Sequence, residues 1–543
     1  MNQGRTRISR TRWWQSLRQL CTDQQSFRML LIVFFSMTVI QPLTAAVLLP
    51  ISDEILVNET AAGYQGTPSV ATDAEGNFVV AWISFNQDGD SFGIYARRFT
   101  SDGLPASGEF QVNTTTVERQ VLPTVSMNAE GSFVITWQSR GQDGDGEAVY
   151  VRAYADDGLA VTGEVAVNTT TMGDQSRPTA GIDGTGNFVV AWQSDGQDGD
   201  GFGIYARRFL ATGAPVDGEF PVSITTTGDQ EFPELGMAPD GRFVVAWQSD
   251  GQDGSSDGIY MRRFTADGMA NGGEVAVNTF TNNRQFNPAI SVNVNGDFAM
   301  TWESAGQDGD DTGIYARRFT ADGMPATEEV AVNTTTVDSQ RAPGIVLNGD
   351  GSFVVAWTSV GQDGDGSGVY MRRFAADGTP TTDELQINIT TVDFQELPEL
   401  ITDTDSNPIV VWQSRTQGSI AQEVYFRRYE QDDPPTISSV SDVSVEVGTT
   451  PVLVDFTVND AETALTDLTL TATSSNQTLV PNVDLLLSGT DTDRTLAISP
   501  VPGETGVTTI TLGVDDGFND VVTTTFTLTV LEDYSVYLPL IQR

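Results

Sequence analysis

Seven tryptophans divide most of this chain into repeats of equal length. They recur at intervals of 55 residues, at Trp82, Trp137, Trp192, Trp247, Trp302, Trp357 and Trp412. The surrounding words Phe-Val-Val-Ala-Trp-Gln-Ser, Gln-Asp-Gly-Asp and Ile-Tyr-Ala-Arg-Arg-Phe recur with small variations. A strict internal period of this size indicates a repeat architecture, in which each unit buries its apolar side chains against its neighbours.

Each repeat contains four strand-like runs separated by turn residues. In the third unit they span residues 178–183, 188–194, 203–209 and 219–225. Short runs of β-branched and aromatic residues with Gly and Asp turns predict an antiparallel meander. The absence of a 3.6-residue period excludes a helical solenoid, and the unit is too long for a coil of a parallel β-helix. The sequence predicts an all-β fold, a seven-bladed β-propeller over residues 54–430.

The two ends of the repeat region predict how the ring closes. The first recognisable run, residues 54–60, matches the fourth strand of a unit, and the last, residues 424–430, matches the third. The seventh unit therefore lacks a fourth strand, and the chain begins with a spare one. We expect residues 54–60 to complete the sheet of Trp412, because this pairing removes two open sheet edges.

The N-terminus resembles a secretory signal. Six arginines precede a core of apolar residues from Met29 to Ile40, and small residues follow at Thr44-Ala45-Ala46. We interpret residues 1–46 as a cleaved signal peptide and residues 47–53 as a linker. The alternative is an uncleaved anchor that runs to Leu49, although Gln41 and Pro42 interrupt it. Cleavage predicts a protein that is secreted or on the cell surface, with no membrane span.

Composition excludes several chemistries. The formal net charge is −45, there is no histidine, and all 28 basic residues are arginine. Histidine-dependent triads, Schiff-base lysines and histidine-ligated metals are therefore excluded. The lone cysteine, Cys21, lies within the predicted signal. Nucleic acid binding needs a basic face, so the acidity argues against it and favours cations as partners. We expect a monomer.

The acidic loops between the second and third strands are the candidate cation site. Their candidate metal ligands are Asp88, Asp90, Asp143, Asp145, Asp198, Asp200, Asp253, Asp257, Asp308, Asp310, Asp363 and Asp365. Two carboxylates around a glycine suit a hard cation such as Ca²⁺, which prefers oxygen ligands. The loops resemble in part the Asp-x-Asp-x-Asp-Gly loops of integrin-α-type propellers, a resemblance that implies Ca²⁺ as a cofactor. The alternative is that Asp-Gly only makes hairpin turns. The seventh loop, residues 417–419, lacks both acids.

Two other repeated features have structural interpretations. We expect the seven tryptophans to pack between sheets as core residues. The paired arginines of the third strands, such as Arg207 and Arg208, are expected to form ion pairs with acidic loops of a neighbouring unit.

A second domain follows the repeats. Residues 431–435 read as a linker with two prolines, and residues 436–531 carry about seven short alternating runs without a helical pattern, which predicts a β-sandwich. Its Pro-Pro-Thr-Ile start and Val-Asp-Asp-Gly word resemble Ig-like or cadherin-like modules of bacterial surface proteins. The tail, residues 532–543, ends in a Tyr-Leu-Pro-Leu word similar to that of other exported bacterial proteins.

The repeats resemble those of large secreted bacterial proteins, which implies the fold and leaves the activity open. We expect a non-enzymatic surface binding or adhesion protein whose ligand is an extracellular protein or a glycan. One alternative is a lectin with several near-equivalent pockets. Another is a glycosidase or sialidase, whose unique catalytic acids would break the repeat. Glu147, Glu234 and Glu303 are such departures, but they form no recognisable set.

Overall fold

The computed structural model describes residues 47–61, 63–415, 421–518 and 521–533. The predicted signal peptide (1–46), the seventh loop (417–419) and residues 534–543 of the tail lie outside these ranges. Among the described residues, strands dominate and none of the helices has the length and apolar character needed to cross a membrane. A single 3₁₀ turn, Asn482–Asp484, is the helical element described.

Each tryptophan of the repeat lies in an antiparallel sheet of its own. The inner strands are Gln65–Thr72, Gln120–Met127, Gln175–Ile182, Gln230–Met237, Gln285–Val292, Gln340–Leu347 and Gln395–Thr402. The second strands are Phe78–Phe85, Phe133–Arg140, Phe188–Asp195, Phe243–Asp250, Phe298–Ala305, Phe353–Val360 and Pro408–Arg415. The third strands are Phe92–Phe99, Glu147–Tyr154, Phe202–Phe209, Asp257–Phe264, Thr312–Phe319, Ser367–Phe374 and Gln422–Asp432. The outer strands of the first to sixth sheets are Phe110–Gln111, Val165–Ala166, Phe220–Pro221, Val275–Ala276, Val330–Ala331 and Leu385–Gln386, and that of the seventh sheet is Ile55–Leu56.

The second strands are buried on both faces. Seven of the eight residues in each strand are buried, which explains why the sequences of these strands are almost continuously apolar. Their tryptophans are fully buried and pack between sheets. Trp137, for example, belongs to one core cluster with Val79 and Ile94 of the preceding sheet. The tryptophans are therefore core residues, as their spacing predicted.

The N-terminal segment pairs with the third strand of the seventh sheet. Val47–Pro50 pairs antiparallel with residues 429–432, and Ile55–Leu56 pairs antiparallel with residues 425–426. Two linker predictions are therefore wrong in part. Residues 47–53 contain a strand, and the third strand continues to Asp432, inside the predicted linker 431–435. The physical reason is that the long third strand offers an unpaired edge, which the N-terminal segment covers.

Every inner strand contains a β-bulge at the same place. Its central residue has positive φ between 48° and 54° and precedes a proline; these bulge residues are Thr67, Leu122, Arg177, Phe232, Asn287, Ala342 and Leu397. The amide of the bulge residue turns away from its own sheet. In Phe232 it donates to Gln193 Oε1 of the preceding sheet at 3.0 Å, and in Thr67 to Gln413 Oε1 at 2.9 Å. This bond compensates for the ladder hydrogen bond that the bulge removes.

The inner strands of all seven sheets surround a cavity of about 680 Å³. Sheets that stand side by side around a central channel, each with its inner strand on the channel, form a β-propeller. The bulge residues all line this channel.

The C-terminal part contains two four-stranded sheets around one core. The first sheet contains Thr436–Ile437, Val452–Asn459, Asp493–Ile498 and Leu485–Ser488. The second contains Val443–Glu446, Val522–Leu531, Gly506–Asp515 and Thr469–Ser474. Buried side chains of both sheets, including Phe456, Leu496 and Phe526, form a single cluster. The strict alternation of burial along Val452–Asn459 shows one face on this core and one on solvent.

Candidate functional site

The Gln-Asp-Gly-Asp loops adopt one conformation in the first, second, third, fifth and sixth sheets. The central glycine has φ between 98° and 102°, as in Gly89 and Gly199, a conformation that favours glycine. The first aspartate accepts the backbone amide two residues later, as Asp88 Oδ1 does from Asp90 at 3.3 Å. Asp253 of the fourth loop makes the same turn with Ser255 at 2.9 Å. The first aspartate of each of these loops therefore stabilises the turn.

The second oxygen of the first aspartate points to the outer strand. Asp88, Asp143 and Asp363 accept the side-chain amides of Asn113, Asn168 and Asn388 at 3.2–3.3 Å, and Asp308 does the same with Asn333 at 3.5 Å. In the third sheet serine replaces this asparagine at Ser223. Asp198 Oδ2, like Asp253 Oδ2, is buried without a hydrogen bond in the described part of the chain. These two buried oxygens are therefore available as ligands.

The second aspartate of the loop reaches the next sheet. Asp90 Oδ2 accepts the amide of Glu118 at 3.0 Å, and Asp200, Asp310 and Asp365 make the equivalent bonds to Gly228, Asp338 and Asp393 at 3.2–3.3 Å. Asp145 instead accepts from Gly146. Asp257 lies on the third strand and forms an ion pair with Arg284 at 2.6 Å. With the exception of Asp145, these carboxylates connect neighbouring sheets.

The structure does not gather the twelve aspartates into a multi-acid cage. Among the described residues, the group of three acids with ligand atoms within 4.8 Å of one another is Asp432, Asp460 and Glu462, and it contains none of the twelve. Ca²⁺ requires six to eight oxygen ligands. A loop would therefore have to complete its shell with water or with a ligand, and the calcium prediction for these residues remains a prediction.

The three-acid group lies where the last strand of the propeller meets the C-terminal domain. Asp432 is buried, and burial together with the charges of Asp516, Asp460, Glu462 and Asp433 raises its pKa to about 6. Asp460 Oδ1 accepts the amides of Glu462 and Thr463 at 3.0 and 2.6 Å. The arrangement concentrates negative charge, which a bound cation would neutralise.

A glutamate before each outer strand clamps the preceding sheet. Glu164 accepts from the amide of Thr115 at 3.0 Å, from its hydroxyl at 2.9 Å and from Gln142 Nε2 at 3.0 Å, and it also accepts the amide of Thr114. The equivalent residues are Glu54, Glu109, Glu219, Glu274, Glu329 and Glu384. Glu54 clamps Ile389 and Thr390 across the junction between the sixth and seventh sheets. We call these seven residues the clamp glutamates.

Sequence reasoning missed the clamp glutamates, although each begins a repeated word whose most frequent form is Glu-Val-Ala-Val-Asn. Burial by itself raises the pKa of Glu164, but the bonds from Thr114, Thr115 and Gln142 outweigh it and hold the pKa below its usual value. The same balance lowers the pKa of Glu109, Glu219, Glu274 and Glu384. A carboxylate that accepts several hydrogen bonds is stabilised in its charged form.

The paired arginines bind mainly carbonyl oxygens, which corrects the expectation of ion pairs with acidic loops. Arg207 donates from Nη1 to Val167 O at 2.9 Å and from Nε to Asp217 O at 3.1 Å. The first arginine of each pair does the same at the equivalent carbonyl of the preceding outer strand. The planar fork of guanidinium reaches two carbonyls at once, and the two-residue outer strands leave carbonyls unpaired. Some second arginines do pair with acids, such as Arg318 with Asp297 at 3.1 Å.

We expect Arg207→Met to destabilise the protein by about 1 kcal/mol, because it removes two hydrogen bonds from partly buried carbonyls. Urea unfolding followed by tryptophan fluorescence measures the change. Arg242→Met is the matched control, since the Arg242–Asp240 ion pair is largely exposed and its loss should be close to neutral. An equal decrease in the free energy of unfolding in both variants would contradict a specific role of the Arg207 contacts.

The three acids that break the repeat lie in different environments. Glu147 is buried and forms an ion pair with Arg119 at 2.5 Å. Glu303 is buried and accepts from Asn287 Nδ2 and Ala342 N, both at 2.8 Å. Glu234 lines the channel together with Glu399. Glu399 is a fourth acid that breaks the repeat, and sequence analysis overlooked it. The two channel glutamates occupy the same repeat position in the fourth and seventh sheets.

No protein-family model matches this chain, and no curated protein matches it. Solved structures are similar in fold. A protein of unknown function from Dyadobacter fermentans is 11% identical, with a TM-score of 0.42 over 71% of this chain and 99% of that one. The Penicillium chrysogenum α-L-arabinanase complexed with arabinobiose is 12% identical, with a TM-score of 0.39 over 71% and 98%. The β-propeller domain of the trilobed protease from Pyrococcus furiosus is 10% identical, with a TM-score of 0.40 over 68% and 96%.

Proposed function

We propose that this chain is a secreted or cell-surface binding or adhesion protein without enzymatic activity. In this proposal a seven-bladed propeller, closed by residues 54–60, presents its acidic loop face to an extracellular protein or glycan, and residues 436–531 form an Ig-like or cadherin-like module. The observation that carries the proposal is the repeated exposure of a carboxylate at one end of the sheets, at Asp90, Asp145, Asp200, Asp310 and Asp365. Near-equivalent groups at fixed spacing suit multivalent contact, in which weak sites add to a high overall affinity.

Calcium dependence is the part of this proposal that we would test first. Thermal unfolding of the chain is compared in Ca²⁺, in Mg²⁺ and in chelator. Ligand at a hundredfold excess over its Kd should stabilise the native state by about 2.7 kcal/mol per site. Asp460→Asn removes a ligand from the junction group, whereas Asp198→Asn removes the buried free oxygen of a loop. If only one of the two variants loses the stabilisation by Ca²⁺, the ion binds at the residue changed in that variant. If Ca²⁺ does not change the unfolding temperature of the wild type, calcium binding is contradicted.

Glycan binding is tested separately from calcium. An array of glycans probed with the purified chain should give signals that the Asp90→Asn and Asp310→Asn variants lose, if the acidic loops contact the sugar. A negative array combined with binding to extracellular matrix proteins would favour protein-directed adhesion. Binding to neither would contradict the proposed function.

A further inference from the structure

The repeats differ from one another at the channel. The tryptophan is the same in all seven units, and one of the two arginines is present in each. At the bulge position, in contrast, seven units contain six residue types. Two residues later the chain contains Ser69, Thr124, Thr179, Glu234, Ala289, Gly344 and Glu399. All of these residues line the channel. Because each sheet contributes a different combination of side chains at these two positions, the channel lining is asymmetric, unlike the near-equivalent loops of the acidic face.

The bulge holds these side chains in place. A positive φ is costly for residues such as Phe232 and Leu122, yet it occurs in every unit. Hydrogen bonds from neighbouring sheets fix several of these amides, as Gln138 Oε1 does for Arg177 at 3.2 Å. A rigid backbone with variable side chains is the arrangement that pre-organises a binding site.

Glu234 and Glu399 place two carboxyl groups without a side-chain partner in the channel. Neither makes a hydrogen bond or an ion pair in the described part of the chain. The neighbouring acids differ, since Glu396 pairs with Arg341 at 2.5 Å and Glu303 accepts two hydrogen bonds. The nearby cation, Arg177, lies over the ring of Phe232 at 3.7 Å.

The electrostatics of the pair agree with this geometry. Burial inside the channel and, to a smaller extent, the charge of Glu399 raise the pKa of Glu234 to about 8, although Arg177 opposes the shift. Desolvation by the surrounding channel wall likewise raises the pKa of Glu399 to about 7, although this side chain is exposed to the channel. The other charged groups on the flanking strands are Glu231, Arg341 and Glu396. A positive ligand between these two carboxyl groups would favour their charged form.

The wall around the two carboxylates combines apolar side chains with polar ones. It includes a proline from every inner strand, together with Leu122, Phe232 and Leu397. The described group of three acids whose ligand atoms lie close enough together to hold a metal ion is elsewhere. An organic cation with an apolar stem matches both the charge and the wall.

We propose that the channel binds one ligand that carries a primary ammonium group on an apolar stem, with the ammonium between Glu234 and Glu399. The stem then packs on the prolines and on Phe232. This site is distinct from the acidic loop face and does not depend on calcium.

The test is isothermal titration of the chain with n-hexylammonium, with 1-hexanol and hexanoate as uncharged and anionic probes of similar shape. We expect one site per chain for the ammonium and at least tenfold weaker binding of both other probes. The affinity should rise between about pH 6 and about pH 9, because the glutamates lose their protons in this range while an alkylammonium keeps its own. Glu234→Gln and Glu399→Gln should each weaken binding at least tenfold, and the exposed control Glu75→Gln should not.

Stability measurements separate binding from folding. A glutamate whose pKa is raised on folding loses stabilisation as pH rises from the unfolded to the folded pKa. Glu234→Gln should therefore unfold at a higher temperature than wild type at about pH 9 and at a similar temperature at about pH 5. Destabilisation at both pH values would overturn the proposal by making Glu234 a structural residue. Equal affinity for hexanol, or calcium binding that only Glu234→Gln abolishes, would also overturn it, as would no binding of the ammonium.

Discussion

Removal of residues 47–60 will lower the thermal unfolding midpoint of the propeller by more than ten degrees or leave it insoluble. This segment pairs along the edge of the third strand Gln422–Asp432. Val57 is fully buried in a core cluster with Phe78 and Phe426, and Asn58 Oδ1 accepts the amide of Val424 at 3.0 Å. Loss of one buried valine costs about 1.5–3 kcal/mol and each lost hydrogen bond about 0.5–1.5 kcal/mol. The deletion also exposes an edge that invites aggregation.

Two controls make this result specific. Val57→Asp should destabilise the chain as much as Val222→Asp, because Val222 is the equivalent, fully buried residue of another sheet. A synthetic peptide of residues 47–60, added in trans, should raise the midpoint of the truncated chain. If Val57→Asp is tolerated while Val222→Asp is not, or if the truncated chain is as stable as wild type, the pairing does not contribute to stability as we infer.

The clamp glutamates will make the protein sensitive to acid. Five of them have pKa values held below the usual range, so their contribution is complete above the unfolded pKa and is lost as pH falls through the folded pKa. We expect stability to fall steeply below about pH 4.5. Glu164→Gln should lower the free energy of unfolding by about 1.5–3 kcal/mol at neutral pH. The glutamine keeps one acceptor oxygen, but its NH₂ group faces the donors of Thr114, Thr115 and Gln142.

Urea unfolding of wild type and variant between neutral and acidic pH measures this effect. The difference between Glu164→Gln and wild type should shrink as pH falls, because the wild-type carboxylate becomes protonated. Glu130→Gln is the matched control, since Glu130 is exposed in a turn of the same sheet. A constant difference across the pH range would mean that packing, and not the charge of Glu164, stabilises the clamp.

The repeat in the sequence predicted local features well. The predicted strand 188–194 corresponds to Phe188–Asp195, and the predicted strand 203–209 to Phe202–Phe209. The predicted outer strand 219–225 is shorter in the structure, where it spans Phe220–Pro221. Glu219 binds the preceding sheet instead, and beyond the strand the amide of Val222 donates one hydrogen bond to the carbonyl oxygen of Ile204. The inner strand starts earlier than predicted, at Gln175, because the bulge before Pro178 lets the chain pair on both sides of it.

Some properties of the functional residues could be predicted from the sequence, and others depend on the tertiary structure. Side-chain type and position along one repeat determined which residues are buried and where turns occur, since alternation and turn chemistry act within a few residues. Partners in other repeats were decided by the tertiary structure. Arg207 binds a carbonyl 40 residues earlier, Glu164 clamps amides 49 and 50 residues earlier, and Glu234 shares a channel with Glu399. Such pairs depend on how the sheets stand around the channel, a geometry that no single repeat contains.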